Sequence, residues 1–146
     1  MTTSLLIQLR SNLDRLLQEI PYLKMLVLFG SRARGDTHTK SDWDFAALYD
    51  EELRQKTVEG FGWFRDAGIL SDCFGISSDN IDLVEIDRCS DLIAHYIARD
   101  GQVIYEREPG LFAAFRDRAL MSEEQLREFC QNMTQKLETS LQRRGL

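Results

Sequence analysis

A glycine–serine turn followed by two closely spaced aspartates is the feature that most constrains this chain. Gly30 and Ser31 end a short apolar run, and ten residues separate them from Asp42-Trp43-Asp44. On a β-strand, residues two apart project from the same face, so both carboxylates are expected on one side of a strand. Carboxylate oxygens are ligands that Mg²⁺ prefers. The pattern predicts a phosphate-binding turn linked by a loop to a metal-binding strand.

The apolar spacing along the rest of the chain predicts a small mixed sheet with helices packed on it, an α/β (α+β) fold. We predict strands over 24–29, 42–49, 81–87 and 102–106, helices over 3–20, 51–67, 91–99, 109–120 and 122–144, and a polar loop over 71–80. Gly60 and Gly62 make a break in the second helix plausible. Ser122 and Gln125 form a predicted capping box.

The length of the chain fits one domain, 1–146, with a core of about 5–106 and a C-terminal helical extension of about 109–144. A net charge of −6 argues against direct binding to nucleic acid, which depends on clustered Lys and Arg. The three cysteines form no CxxC pair, and no stretch is apolar enough for a membrane span. We therefore expect a cytoplasmic protein with free thiols and no membrane partner.

Two Mg²⁺ ions can clamp the attacking and leaving oxygens of a nucleotidyl transfer, which requires acidic ligands and a seat for phosphates. Asp82, at the start of the third predicted strand, is the candidate third carboxylate and possible general base. Glu85 and Asp87 point to the opposite face by the period of two. Gly30 and Ser31 can cradle the triphosphate, and Arg32, Arg34 and Lys40 are candidates for phosphate contact.

The run Gly30-Ser31-Arg32-Ala33-Arg34-Gly35, the spacer and Ser41-Asp42-Trp43-Asp44-Phe45 resemble the signature of the DNA polymerase β-like nucleotidyltransferase superfamily. The closest subgroup is the minimal nucleotidyltransferase (MNT) antitoxin of HEPN/MNT toxin–antitoxin modules. The resemblance covers about residues 5–106 and implies a polymerase β-like palm, with ATP and Mg²⁺ as cofactors. It marks Ser31, Asp42, Asp44 and Asp82 as matching functional positions.

The resemblance also implies an activity, transfer of AMP from ATP to a tyrosine hydroxyl of a partner HEPN ribonuclease toxin. Two alternatives stay open at this point. One is a non-catalytic antitoxin that acts by binding and occlusion. The other is a small-molecule nucleotidyltransferase of the aminoglycoside type, for which the roughly 40 residues after the palm are few.

Several other side chains have structural interpretations that we prefer. His38 is expected to face solvent, His95 to be a satisfied structural residue, and Trp43 to fill the core behind its strand. The last helix carries an apolar stripe formed by Leu126, Phe129, Cys130, Met133, Leu137 and Leu141. We expect this stripe to pack on its own domain, with binding to the partner as the alternative.

Overall fold

The computed structural model describes residues 2–35, 42–57 and 62–143. Its strands form one mixed four-stranded sheet in the order β3-β2-β1-β4. Strand β1 pairs antiparallel with both β2 and β4, whereas β2 pairs parallel with β3. The strands are β1 (Leu23–Phe29), β2 (Trp43–Tyr49), β3 (Ile81–Glu85) and β4 (Gln102–Glu106). The expected small mixed sheet is confirmed.

Helices cover both faces of this sheet. They are α1 (Thr2–Ser11), α2 (Leu13–Glu19), α3 (Gly30–Arg34), α4 (Glu51–Thr57), α5 (Gly62–Phe74), α6 (Asp91–Asp100), α7 (Leu111–Ala119) and α8 (Glu123–Arg143), with 3₁₀ turns at Ser78–Asn80 and Ile86–Arg88. No helix among these described residues is both long and apolar enough to cross a bilayer.

Several helix boundaries differ from the sequence prediction, and the helix predicted over 51–67 corresponds to two, α4 and α5, with 58–61 outside the described residues. The single helix predicted over 3–20 is divided at Asn12, whose side-chain amide donates to the carbonyl of Gln8 at 3.3 Å and so competes with the helical ladder. Helix α5 continues to Phe74, into the predicted polar loop. It does so because Leu70 and Cys73 are buried in the core beneath the sheet, and burial outweighs local polarity.

The third predicted strand is shorter than expected. It ends at Glu85, and Ile86–Arg88 turns away as a 3₁₀ segment that buries Ile86. Glu85 points away from Asp82, as the period of two predicts, and it accepts a hydrogen bond from Arg54 at 2.9 Å. That ion pair gives Glu85 a structural partner on its own side of the sheet.

Alternate residues of the strands face two separate cores. The first core lies against α1, α2 and α5 and includes Leu16, Leu26, Leu28, Phe45, Ala47 and Leu70. The second lies against α6 and α7 and includes Met25, Val27, Ala46, Ile97, Ala98 and Phe115. Burying apolar surface on both faces fixes the register of β2, since a slip of one residue would exchange its faces.

A buried hydrogen bond links the chain before β1 to α5 inside the first core. The Tyr22 hydroxyl donates to Oδ1 of Asp66 at 2.6 Å, and both residues are fully buried. The Tyr22 ring also lies 5.6 Å from the ring of Tyr49. Burial, followed by the charge of Asp66, raises the pKa of Tyr49. These groups are part of the core, which makes Tyr49 a poor nucleophile.

The apolar stripe of α8 packs on its own domain only in part, because Leu126 and Phe129 are half-buried whereas Met133 and Leu137 are exposed, and the side chain of Leu141 lies outside the described residues. The capping box forms, with the Ser122 N–H donating to Gln125 Oε1 at 2.9 Å and the Gln125 N–H donating to Ser122 Oγ at 3.1 Å. Beyond Phe129, however, Met133 is 50% exposed and Leu137 61% exposed. The second core is already covered by α6 and α7, so the later turns of α8 have no apolar surface of the domain to join.

Candidate active site

Asp44 and Asp82 are neighbours across the parallel pair formed by β2 and β3. The register places the Cα of Asp44 opposite that of Asp82, and adjacent strands lie about 4.8 Å apart. Trp43 and Phe45 face the first core, so Asp44 between them faces the side of α6. Asp42 is exposed directly before β2. The sequence prediction that Asp82 lies beside the aspartate pair is therefore confirmed as a placement.

Asp42, Asp44 and Asp82 form an acidic edge of the sheet, where the charges of Asp42 and Asp82 act on Asp44. Partial burial raises the pKa of Asp44, and the charges of Asp82 and then Asp42 raise it further. The charge of Arg34 acts in the opposite direction but does not reverse the shift. Two or more carboxylates with too little nearby positive charge favour binding of a cation. The donor chemistry fits a divalent ion that prefers oxygen ligands.

The protein does not supply a complete metal cage by itself. Over 2–35, 42–57 and 62–143, no group of three or more His, Cys, Asp or Glu side chains is placed to hold a metal ion. Mg²⁺ commonly takes one or two carboxylates and completes its shell with water and substrate phosphates. The acidic edge fits this mode of binding, in which substrate and ion arrive together.

Gly30 is required at the end of β1 for two reasons. Its φ is +73°, a left-handed conformation that residues with a Cβ rarely adopt. A Cβ placed on Gly30 would also overlap the Asp44 carboxylate. Phe29, the preceding residue, pairs with Asp44 across the antiparallel β1–β2 ladder. The turn therefore brings the backbone at the start of α3 against the acid.

The two arginines of α3 have different surroundings. Arg34 donates from Nη1 to Oδ2 of Asp100, 3.2 Å away at the end of α6, and its charge acts on Asp44. The Arg32 guanidinium lies 4.0 Å from the ring centroid of Trp43. Because Trp43 faces the first core, this position is on the other side of β2 from Asp44. The charge of Arg34 therefore acts at the acidic edge, whereas the contact described for Arg32 is with Trp43.

Part of the predicted site lies outside the described residues. His38 and Lys40 belong to the segment 36–41, and the side chain of Ser31 is likewise outside them. The backbone of Ser31 is described and lies in α3.

Asp100 is a site neighbour that the sequence analysis missed. It contacts Arg34 only because α3 packs on the end of α6, a long-range arrangement. The nearest sequence signal is an acid directly before Gly101 at a helix end, which is common and unspecific.

This site and fold define a nucleotidyltransferase. Residues 11–110 match the family described as "Polymerase beta, Nucleotidyltransferase", and the chain belongs to that family. Over 141 residues it is 47% identical to a protein named protein adenylyltransferase MntA from Aphanizomenon flos-aquae (strain 2012/KM1/D3), spanning 95% of this chain and 94% of the relative. The resemblance to the MNT branch is thereby confirmed.

Solved structures support the same fold. A chain of a toxin–antitoxin crystal structure with AMP-PNP is 22% identical, covers 91% of this chain and 92% of its own length, and has a TM-score of 0.58. A chain from the complex of tri-AMPylated Shewanella oneidensis HEPN toxin with MNT antitoxin is 19% identical. It covers 97% of this chain and 93% of its own length, with a TM-score of 0.54. The predicted polymerase β-like fold is confirmed.

Proposed function

We propose that this chain is an antitoxin that transfers AMP from ATP to a tyrosine hydroxyl of a partner HEPN ribonuclease toxin and so neutralises it. The observation that carries the proposal is Asp44 held beside Asp82, with Asp42 before it, against the Gly30 turn. The 47% identical relative is named a protein adenylyltransferase. A HEPN toxin carrying AMP groups is present in one of the similar structures.

In this proposal Asp42, Asp44 and Asp82 bind two Mg²⁺ ions. The ions supply positive charge that neutralises the triphosphate and stabilises the charge developing on the attacking and leaving oxygens. Burial and then the neighbouring acids raise the pKa of Asp44, and a bound cation would offset both effects. The chain is expected to act in the cytoplasm, where ATP and its partner meet.

The turn that follows β1 seats the triphosphate. Gly30 allows the turn to lie against the Asp44 carboxylate, and the backbone N–H of Ser31 beside it is among the first donors of α3 that phosphate oxygens could reach. Arg34 is the arginine that we assign to phosphate contact, because its charge reaches Asp44. Phosphate contact by Arg32 stays a prediction, since its guanidinium lies over Trp43.

The transfer step forms one bond and breaks one bond. The tyrosine oxygen of the partner attacks the α-phosphorus of ATP, the bond from that phosphorus to the bridging β-phosphate oxygen breaks, and pyrophosphate leaves. Asp82 is proposed to accept the proton of the attacking hydroxyl. Its position opposite Asp44 supports this role, because a general base must lie within hydrogen-bond reach of the proton that it accepts.

Incubation of the purified chain with its toxin, ATP and Mg²⁺, followed by intact-mass measurement of the toxin, tests this function. The toxin is expected to gain one or more AMP groups, and Asp44→Asn is expected to abolish the gain. Asp117→Asn, which changes an exposed acid on α7, is the matched control and is expected to transfer AMP normally. Neutralisation by Asp44→Asn without any gain of mass would instead establish occlusion.

A further inference from the structure

We propose that Asp100 is a positioning residue that holds the Arg34 guanidinium at the acidic edge, where Arg34 contacts the triphosphate of ATP. This inference rests on the proposed function, because it concerns the same site. It goes further in naming a residue, distant in sequence from the glycine–serine motif, that sets the affinity for the nucleotide.

The contacts of Asp100 carry the inference. Its Oδ2 accepts from Arg34 Nη1 at 3.2 Å, and its side chain is only 10% exposed. Arg99 also contacts the carboxylate, with Nε 3.0 Å from Oδ1 and Nη2 3.0 Å from Oδ2. The hydrogen bonds from Arg99 and Arg34 and the charges of both arginines lower the pKa of Asp100, with the bonding by Arg99 as the largest cause. Asp100 is thus a fixed anion between two cations.

The backbone at Asp100 is itself held in place. The next residue, Gly101, donates its N–H to the carbonyl of Ile97 at 2.8 Å. A Cβ placed on Gly101 would come within 2.8 Å of Cγ1 of Val27 and 3.0 Å of the ring of Phe112. This close packing of the end of α6 on β1 and α7 gives the Asp100 carboxylate a rigid base. Its rigidity limits where Arg34 can lie.

The charge balance also favours a phosphate ligand. Arg34, Arg99 and Asp100 together carry one positive charge, in a chain whose net charge is −6. A guanidinium has five N–H donors in a planar fork, so one side chain can bond a carboxylate and phosphate oxygens together. An arginine held by a carboxylate in this way reaches the ligand with less loss of side-chain entropy.

Equilibrium binding of Mg²⁺ and AMP-PNP to the full chain, measured by calorimetry without the toxin, tests this assignment. Asp100→Asn keeps the shape of the side chain and removes its charge, and it is expected to raise the Kd about 10-fold, as is typical of coupled neighbours. Asp100→Glu, which keeps the carboxylate, is expected to restore part of the affinity.

A double-mutant cycle separates positioning from a general structural effect. Arg34→Ala is expected to weaken nucleotide binding by itself, and adding Asp100→Asn is then expected to change the Kd less than about twofold. Asp50→Asn is the matched control, because Asp50 accepts from Arg107 at 3.1 Å in a similar Arg–Asp pair away from the site. It is expected to leave the Kd unchanged.

Wild-type affinity in Asp100→Asn would overturn the inference, as would an undiminished effect of Asp100→Asn in the Arg34→Ala background. If Asp100→Asn fails to fold, the same cycle is run with Asp100→Glu, and additivity with Arg34→Ala is the contradicting result. A chain that binds AMP-PNP but leaves the toxin unmodified contradicts the proposed function alone. Normal AMP transfer with an unaltered Kd in Asp100→Asn contradicts this inference alone.

Discussion

Gly30 and Asp44 are so close that any side chain at position 30 would occupy the space of the Asp44 carboxylate. Gly30 follows β1 and has a φ of +73°, and Asp44 in β2 pairs with Phe29, the last residue of β1. The phosphate-binding turn and the metal-binding strand are therefore a single packed unit. Their separation in sequence is bridged by the β1–β2 pairing.

Gly30→Ala is expected to reduce AMP transfer by about 100-fold, because displacing a catalytic carboxylate by about 1 Å has effects of that size. It is also expected to cost about 1–2 kcal/mol of stability from the left-handed backbone. Gly35→Ala is the matched variant, since Gly35 has a φ of +84° but no atom of the described residues lies within 4 Å of an added Cβ. Its loss of activity should be smaller. Steady-state kinetics and denaturant unfolding measure both variants. Equal losses of AMP-transfer activity in the two would contradict an overlap between the new side chain at position 30 and the Asp44 carboxylate.

Asp44→Asn is expected to stabilise the metal-free chain at pH 7 by about 0.5 kcal/mol after allowance for solvent screening. The pKa of Asp44 is raised in the folded state. Stability from this group is therefore full below the ordinary carboxyl pKa, about 3.9, and is lost as the pH rises through the higher folded pKa. The ionised carboxylate consequently destabilises the apo fold at neutral pH.

Denaturant unfolding in EDTA, followed from acid to neutral pH, measures this effect. The wild type is expected to lose more stability across the titration than Asp44→Asn. Added Mg²⁺ and AMP-PNP should stabilise the wild type more than the variant, because binding to the folded state alone raises its stability. If the metal-free Asp44→Asn chain is less stable than the wild type at pH 7, the Asp44 carboxylate stabilises the fold instead of destabilising it.

The site shows which features a sequence can predict. Alternation of side chains on a strand is a local rule, so the opposite direction of Glu85 from Asp82 followed from spacing alone. Asp42 lies directly before β2, and its shared face with Asp44 stays a prediction. The neighbouring position of Asp82 required only that β3 lie beside β2. Contacts made through tertiary packing were not predictable in this way. Asp100 reaches Arg34 across 66 positions, and no local pattern pairs them.

The same contrast applies to the fold. Gly30, Pro21 and the short apolar runs mark most element boundaries, because backbone constraints act locally. Whether a helix with an apolar stripe is covered depends on surface left by the rest of the domain. In α8 that surface is already occupied by α6 and α7. Its exposed Met133 and Leu137 therefore could not be anticipated from periodicity.

Tyr22→Phe is expected to destabilise the chain by about 1–3 kcal/mol. The variant removes the hydroxyl that donates to buried Asp66 at 2.6 Å, and losing a donor to a buried carboxyl group has a cost of this size. Tyr105→Phe, at a half-buried residue of β4, is the control, with an expected change below about 0.5 kcal/mol. Urea unfolding measures both. Equal losses of stability in the two variants would show that the hydrogen bond from Tyr22 to Asp66 does not stabilise the fold.

Truncation is expected to show that α7 is needed for folding and α8 is not. Phe115 is 5% exposed and lies in the second core, so a chain ending at residue 106 loses a large buried aromatic, worth about 3–5 kcal/mol. A chain ending at residue 122 keeps Phe115 and the bond from the Met121 N–H to His95 Nδ1. Circular dichroism melts should find the chain that ends at residue 122 folded and the chain that ends at residue 106 strongly destabilised. Equal melting would place the domain boundary near residue 106.

The central claim is transfer of AMP to the toxin by the carboxylates at the starts of β2 and β3. The most direct test is the intact mass of the HEPN toxin after incubation with ATP, Mg²⁺ and either the wild-type chain or Asp44→Asn. The account predicts whole-AMP increments on a toxin tyrosine with the wild type and none with the variant. A folded wild-type chain that neutralises the toxin while leaving its mass unchanged would contradict the account.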